Sequence, residues 1–320
     1  MNVLIAADME GVAGIEGYGD CLPSHPAAYA AGRKLMTAEV LAAVAALRAG
    51  GAERISVGDW HMVGTNVERE RMPAGVEVRP IAELALHVAE PSMAKAHGGP
   101  LDAVVFLGHH ASTPNPRAFC SHTFVWEMEV LLDGESLNEV QVYAQALAAE
   151  GVPVLAASGD RWMLEELGPA ELGGAILVPT KEGRGRARAD SRSPEEVHGE
   201  LSEAIAAAIA APGTPPRTRR YPAELRVLAE GEELLATTVE GPDQLLTAIA
   251  TTFRSSQVSR EYRQLAKLLP AAEGSRLRPL HRRAGSILAT PVMRAKERRW
   301  LAASPGSEAE SPVETATRMR

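Results

Sequence analysis

The chain has 320 residues, 45% of them hydrophobic, which is enough for a large core and for two lobes. A net charge of -8, with no basic stripe carrying interleaved aromatics, argues against a nucleic-acid partner. Two cysteines, Cys21 and Cys120, make no disulfide framework, and no apolar run approaches the ~20 residues that span a bilayer, so no membrane partner is expected.

Asn2–Ala7 is a short, continuous apolar run closed by Asp8-Met9-Glu10-Gly11. That pattern predicts a central parallel strand with two carboxylates at its carboxyl end. Asp8 and Glu10 are two apart, so on an extended chain they point the same way. Two like charges aimed at one point call for a cation between them, and a divalent metal is the natural candidate. The start lacks a basic region, so no secretory signal is read and a cytoplasmic location is expected.

Tyr29–Gly51 reads as a helix, with Leu35, Leu41, Val44 and Leu47 on one side and Gly50-Gly51 as its stop. Arg54–Asp59 is a second strand, Pro80–Ala96 is partly helical, and Asp102–Leu107 is a third buried strand. Thr123–Leu132 alternates toward a hairpin turn at Asp133-Gly134. Glu139–Glu150 reads as a helix and Val152–Ala157 as a further buried strand. Strands alternating with helices predict an α/β fold, a mainly parallel sheet with helices on both faces.

Gly174–Pro179 reads as a strand and Lys181–Arg188 as a basic loop. Ser193-Pro194-Glu195-Glu196 is a capping box that starts a helix running to about Ala211. After a Pro212–Pro222 linker, Ala223–Val239 reads as a strand pair turning at Glu230-Gly231, and Asp243–Phe253 as a helix. These predict a smaller α+β second lobe. The expected organisation is therefore a metal-binding catalytic region over residues 1–211 and a lobe over 212–270 that completes the domain. A basic helical or irregular extension follows over 271–301, then a disordered tail over 302–320.

Two more predicted strands end in histidine, at Val57-Gly58-Asp59-Trp60-His61 and Phe106-Leu107-Gly108-His109-His110. Parallel strands put their carboxyl ends on one edge, where open α/β sheets bind ligands. Asp8, Glu10, His61 and one of His109 or His110 can therefore converge. Imidazole mixed with carboxylate suits zinc or manganese better than calcium or magnesium. Ser121-His122 and Glu139 follow in the chain. Taken singly, each residue has a structural reading as a cap, a surface charge or a packed ring. Convergence from several strand ends is what favours a metal centre. Asp59 reads as an acid that steadies a ligand or a loop. His25, His87, His97, His198 and His281 lack ligand spacing and read as structural or surface residues.

Asp8-Met9-Glu10-Gly11, Gly58-Asp59-Trp60-His61, Gly108-His109-His110 and Ser121-His122 together resemble the D-aminopeptidase family of zinc peptidases. The resemblance covers about residues 1–210, including Tyr29-x-x-Gly32-Arg33-x-x-Met36-Thr37 and Val152-Pro153-Val154-Leu155. It implies two zinc ions per chain, with manganese or cobalt as alternatives. Asp8 would bridge them, Glu10 and His61 would complete one side, and His110 and Glu139 the other. His110 takes this place because the family sets its histidine two residues after the glycine. His122 would be catalytic without being a ligand. The resemblance also implies short peptide substrates with a free N-terminus and D-amino acids, and a homo-oligomer, a decameric ring with sites facing an inner channel.

The chain departs from the family pattern in places. Asn138-Glu139 stands where the family has Gly-Glu, after a one-residue insertion past Asp133, which makes Glu135 the alternative to Glu139. Beyond residue 210 the match is poor, an Asn-rich, Trp-bearing family segment has no counterpart, and the tail after Pro270 is an addition. The expected chemistry is metal-activated water attacking a peptide carbonyl, with His122 moving a proton and an acid such as Asp59 meeting the substrate ammonium. The competing readings are another dinuclear hydrolase, a phosphoesterase or amidase, and a catalytically inactive metal-bound scaffold. A phosphoesterase calls for cationic clamps, and the only basic cluster is Lys181–Arg188. A dinucleotide site is not expected, because no G-x-G-x-x-G follows the first strand.

Overall fold

Alternate side chains of the first strand enter two different cores, and the rest of the fold follows from that. Val3, Ile5 and Ala7 pack into one apolar cluster, while Leu4 and Ala6 pack into the other. A strand buried on both faces is the mark of a central parallel strand. The structure, a computed structural model, describes residues 1–62, 64–80, 92–255, 291 and 294–302.

Its elements run β1 (Asn2–Ala7), α1 (Pro26–Ala49), β2 (Arg54–Asp59), β3 (Val76–Pro80), α2 (Met93–His97) and β4 (Ala103–His109). Then come β5 (Met128–Leu132), β6 (Glu135–Ser136), α3 (Glu139–Glu150), β7 (Val154–Asp160), α4 (Arg161–Glu171) and β8 (Ile176–Gly183). The last are β9 (Ala189–Ser191), α5 (Pro194–Ala210), β10 (Ala223–Ala229), β11 (Glu232–Val239) and α6 (Pro242–Ser255).

The main sheet has seven strands in the order β3-β2-β1-β4-β7-β8-β9. All neighbours are parallel except β8 and β9. From β1 the chain winds outward through β2 to β3, then returns to place β4 on the other side of β1. The strand order therefore reverses between β1 and β4, and the carboxyl ends at such a switch point form the ligand crevice of open α/β sheets. Asp8 follows β1 there, and His109 and His110 end β4.

Helices cover both faces. α1 and α5 pack on one side through Met36, Val40, Val44, Leu47, Val197, Leu201 and Ile205. α3, α4 and α6 pack on the other through Tyr143, Leu147, Met163, Leu167, Leu245 and Ile249. The α1 positions fall three and four apart, one stripe of a helix. A second sheet of four strands, in the order β11-β10-β5-β6, draws strands from both halves of the chain. Residues 294–302 are helical. There Trp300 stacks on Trp126 with ring centroids 5.3 Å apart, and buried Glu297 sits 2.9 Å from His25 Nε2.

Several expectations need correction. Thr123–Leu132 is strand only from Met128, because Phe124 and Glu127 take positive φ. The strand expected at Gly174–Pro179 continues to Gly183, so Lys181 is not in a basic loop but is buried in β8. β3 and α4 were not expected. Most of the predicted helix at Pro80–Ala96, residues 256–290 of the second lobe and extension, His87, His281 and the 303–320 part of the tail lie outside the described residues.

Gly108 fixes the end of β4. Its φ is +69°, and a Cβ there would lie 2.5 Å from the Asp8 carbonyl oxygen and 2.7 Å from Val12 Cγ2. Gly108→Ala is expected to cost about 1–2 kcal/mol in left-handed strain, plus the displacement of Asp8. Calorimetry should show a lower melting temperature; an unchanged one would mean that this strand end relaxes freely.

Candidate metal centre

Five elements deliver side chains to the crevice. The turn after β1 supplies Asp8 and Glu10, the end of β2 supplies His61, and the end of β4 supplies His110. The loop before β5 supplies His122 and the first turn of α3 supplies Glu139. α3 starts where it does because Asn138 caps it: its side chain accepts from Gln141 N, and the Gln141 side chain accepts from Asn138 N, both at 2.9 Å. A carboxylate in the first turn also suits the positive end of the helix dipole. Phe124 N donates to Glu139 Oε1 at 2.7 Å and fixes the carboxylate further.

The side chains converge. His61 Nδ1 lies 3.0 Å from Glu10 Oε2 and 3.4 Å from Asp8 Oδ1. His110 Nε2 lies 3.2 Å from Asp8 Oδ2 and 3.5 Å from Glu139 Oε1. Three sets of donor atoms each fall within 4.8 Å of one another: Asp8, Glu10 and His61; Asp8, His110 and Glu139; and Glu10, His110 and His122. Asp8 uses one oxygen toward each of the first two sets. All except half-buried His122 are buried.

Main-chain carbonyls orient every ring. His61 Nε2 donates to Cys21 O at 2.7 Å, leaving Nδ1 to the carboxylates. His110 Nδ1 donates to Ala111 O at 3.1 Å, leaving Nε2 to Asp8 and Glu139. His122 Nδ1 donates to Cys120 O at 2.7 Å, and its ring stacks on His110 with centroids 4.0 Å apart. Carbonyls that hold one ring nitrogen fix the tautomer and present the other to a metal. The two cysteines thus act through their main chains, a role that no sequence signal shows.

The charges act on one another. Burial disfavours the Asp8 anion, but hydrogen bonds from His110 and His61 outweigh it and hold this carboxyl well below its usual value. Burial also opposes charge on His61 and His110. Glu10 and Asp8 overcome it at His61, and Asp8 and Glu139 at His110, so both rings are raised above the usual imidazole value. Burial pushes Glu139 up to about 7. Burial, then the charge of His110, holds His122 well below the usual value, so it stays neutral. Three buried carboxylates facing one space need positive charge, which protons on two rings or divalent cations can supply. Nitrogen and oxygen donors in two sets that share Asp8, with His110 Nε2 facing both Asp8 and Glu139, fit a pair of such cations.

The remaining candidates fall elsewhere. His109 Nε2 donates to Ala6 O at 3.1 Å, and its other ring nitrogen is 3.9 Å from Asp8, outside all three donor sets. Glu135 pairs on the surface with Arg219, at 2.7 and 3.0 Å, away from the cluster. Asp59 cannot meet a substrate ammonium, because Asn66 N, Asn66 Nδ2 and Val67 N occupy its oxygens at 2.6–2.8 Å. It anchors the loop after His61 instead. Tyr29 and Arg33 of α1 grip the same Asn66 from the other side.

Comparison with known proteins agrees with this arrangement. A family model described as D-aminopeptidase matches residues 1–265. Among solved structures, the Zn-dependent D-aminopeptidase DppA from Bacillus subtilis, described as a self-compartmentalizing protease, superposes with a TM-score of 0.65. The match covers 85% of this chain and 100% of that one at 19% identity, a likeness of fold. No curated protein matches. With the family match running through the whole side-chain cluster and five-sixths of its length, the chain belongs to the D-aminopeptidase family of metallopeptidases.

Proposed function

We propose that the protein is a zinc-dependent aminopeptidase that hydrolyses short peptides with a free N-terminus, D-amino-acid-containing ones among them. The observation that carries this reading is the sharing of Asp8 between two donor sets. Asp8 would bridge two zinc ions, with Glu10 and His61 on one and His110 and Glu139 on the other. When bound, such a pair polarises a carbonyl and makes water a nucleophile near neutral pH.

The chain's own residues do the rest. His122 Nε2 carries a lone pair, because Nδ1 holds its proton against Cys120 O. That free nitrogen is the atom that would accept a proton and return it to the leaving amine. The Cys21 and Ala111 carbonyls keep His61 and His110 aimed, so that little reorganisation accompanies reaction. Three of the four cations of the basic run are engaged within the fold: Lys181 is buried, Arg184 pairs with Glu182 and Asp190, and Arg186 donates to the Thr113 and Trp300 carbonyls. This favours a peptide over a phosphoester. The Bacillus subtilis enzyme is described as self-compartmentalizing, which supports a homo-oligomer, a decameric ring being the form proposed.

The deciding test is elemental analysis together with release of amino acid from D-Ala-D-Ala and L-Ala-L-Ala. About two zinc ions per chain and cleavage of the D-peptide are expected. Cleavage of the L-peptide alone would remove the D-preference, and no zinc uptake would remove the metal reading.

A further inference from the structure

Behind the carboxylates lies a buried layer of charge that the chemistry above does not use. Residues 8–16, the turns after β1, carry Asp8 and Glu10 and are gripped from two sides. From the sheet, Lys181 Nζ donates to Glu10 O at 2.5 Å and to Ile15 O at 2.7 Å. Its neighbour Thr180 donates to Gly11 O, and Ser191 Oγ accepts from Gly14 N at 2.6 Å. From α1, buried Glu39 accepts from Ala13 N at 2.9 Å and from Ser158 Oγ at 3.2 Å. Ser158 in turn accepts from Gly108 N at 3.1 Å, which ties the end of β4 to the same network.

Lys181 is the unusual member. Its side chain is 2% exposed, and it directs donors to main-chain carbonyls, with the Phe119 ring 5.1 Å away. Burying an ammonium is costly, and an apolar side chain of similar shape serves packing equally well. What the amino group adds is a fixed position for two carbonyls, one of them that of Glu10 itself. We propose that Lys181, supported by Thr180, is a positioning residue: it locks the Glu10 and Gly11 peptides and thereby aims the Glu10 carboxylate at His61 and Asp8. This inference rests on the reading of Glu10 as a metal ligand.

The test is calorimetric titration of zinc into the metal-stripped full-length protein, with melting temperatures of the stripped forms alongside. Lys181→Met should weaken zinc binding about 10- to 100-fold, as removing outer supports of metal ligands does. Thr180→Val, which keeps shape and loses one donor, should weaken it in the same direction by less. A merely structural role would lower the melting temperature of the stripped variant and leave the zinc affinity of the folded protein at the wild-type value; that result overturns the proposal. If Lys181→Met does not fold, wild-type affinity in Thr180→Val overturns it. Wild-type protein that takes up no zinc fails the metal reading beneath it, which keeps the two failures distinct.

Discussion

His122→Ala should retain wild-type metal content and lose about 10²- to 10⁴-fold in kcat, the usual worth of a positioned proton-transfer group. The expectation follows from three features of the ring. It belongs to neither of the donor sets that share Asp8, so removing it leaves both intact. Its Nδ1 proton is committed to Cys120 O, which leaves Nε2 as the proton acceptor. Burial keeps it neutral. Because its part is played in the transition state, kcat and kcat/KM should fall together while KM changes little. Elemental analysis and steady-state kinetics on the same preparation check this. Metal content at the wild-type level with kcat unchanged would strip His122 of the role. A loss of metal would instead place His122 among the groups that hold the ions, as the set with Glu10 and His110 allows.

Asp8→Ala should have the largest effect of any ligand substitution. Asp8 puts one oxygen 3.4 Å from His61 and the other 3.2 Å from His110, so its removal opens both donor sets at once. Metal content is expected to fall from about two ions per chain to near none, and Glu139→Ala, which opens only one set, should keep about one. Metal catalysis supplies several kcal/mol of transition-state stabilisation, so activity should drop by about 10³-fold or more in Asp8→Ala. Stability follows the same logic. Zinc at a thousand times its Kd stabilises the folded chain by about 4 kcal/mol, and that increment should vanish in Asp8→Ala. Differential scanning calorimetry with and without zinc measures it directly. Two ions retained by Asp8→Ala would refute the shared-carboxylate arrangement.

The central strands and most helices were legible because their signals are local. β1 and β4 are short apolar runs, and β2 alternates Ile55 and Val57 with polar residues before Gly58. α3 and α5 begin at side-chain caps, Asn138 and Ser193. Elements without local signals were missed. β3 is the edge strand Val76–Pro80, whose alternating polar residues and terminal proline do not look buried. α4 is broken at Gly168, where φ is +63°, so its apolar period is interrupted. Lys181 was misread for a related reason. It opens a run of arginines, and charge runs are normally solvated; only the packing of β8 against the turns after β1 buries it.

The candidate site divides along the same line. Residue types and strand-end positions marked Asp8, Glu10 and His61, because an apolar strand puts whatever follows it at the sheet edge. The family resemblance, a sequence-level signal, singled out His110 and Glu139. From residues alone, the choice between His109 and His110 depends on which face of β4 each ring takes, and the choice between Glu139 and Glu135 on where α3 begins in space. The tertiary structure places each of the four. β4 lies beside β1, which points His109 at the Ala6 carbonyl and His110 at Asp8, while Arg219 holds Glu135 at the surface. The sequence determined which chemical groups stand at the ends of strands, because burial and capping are written within a few residues. Only the tertiary structure decided which groups meet, and which carbonyls and buried charges aim them, because those contacts join positions that can lie more than a hundred residues apart.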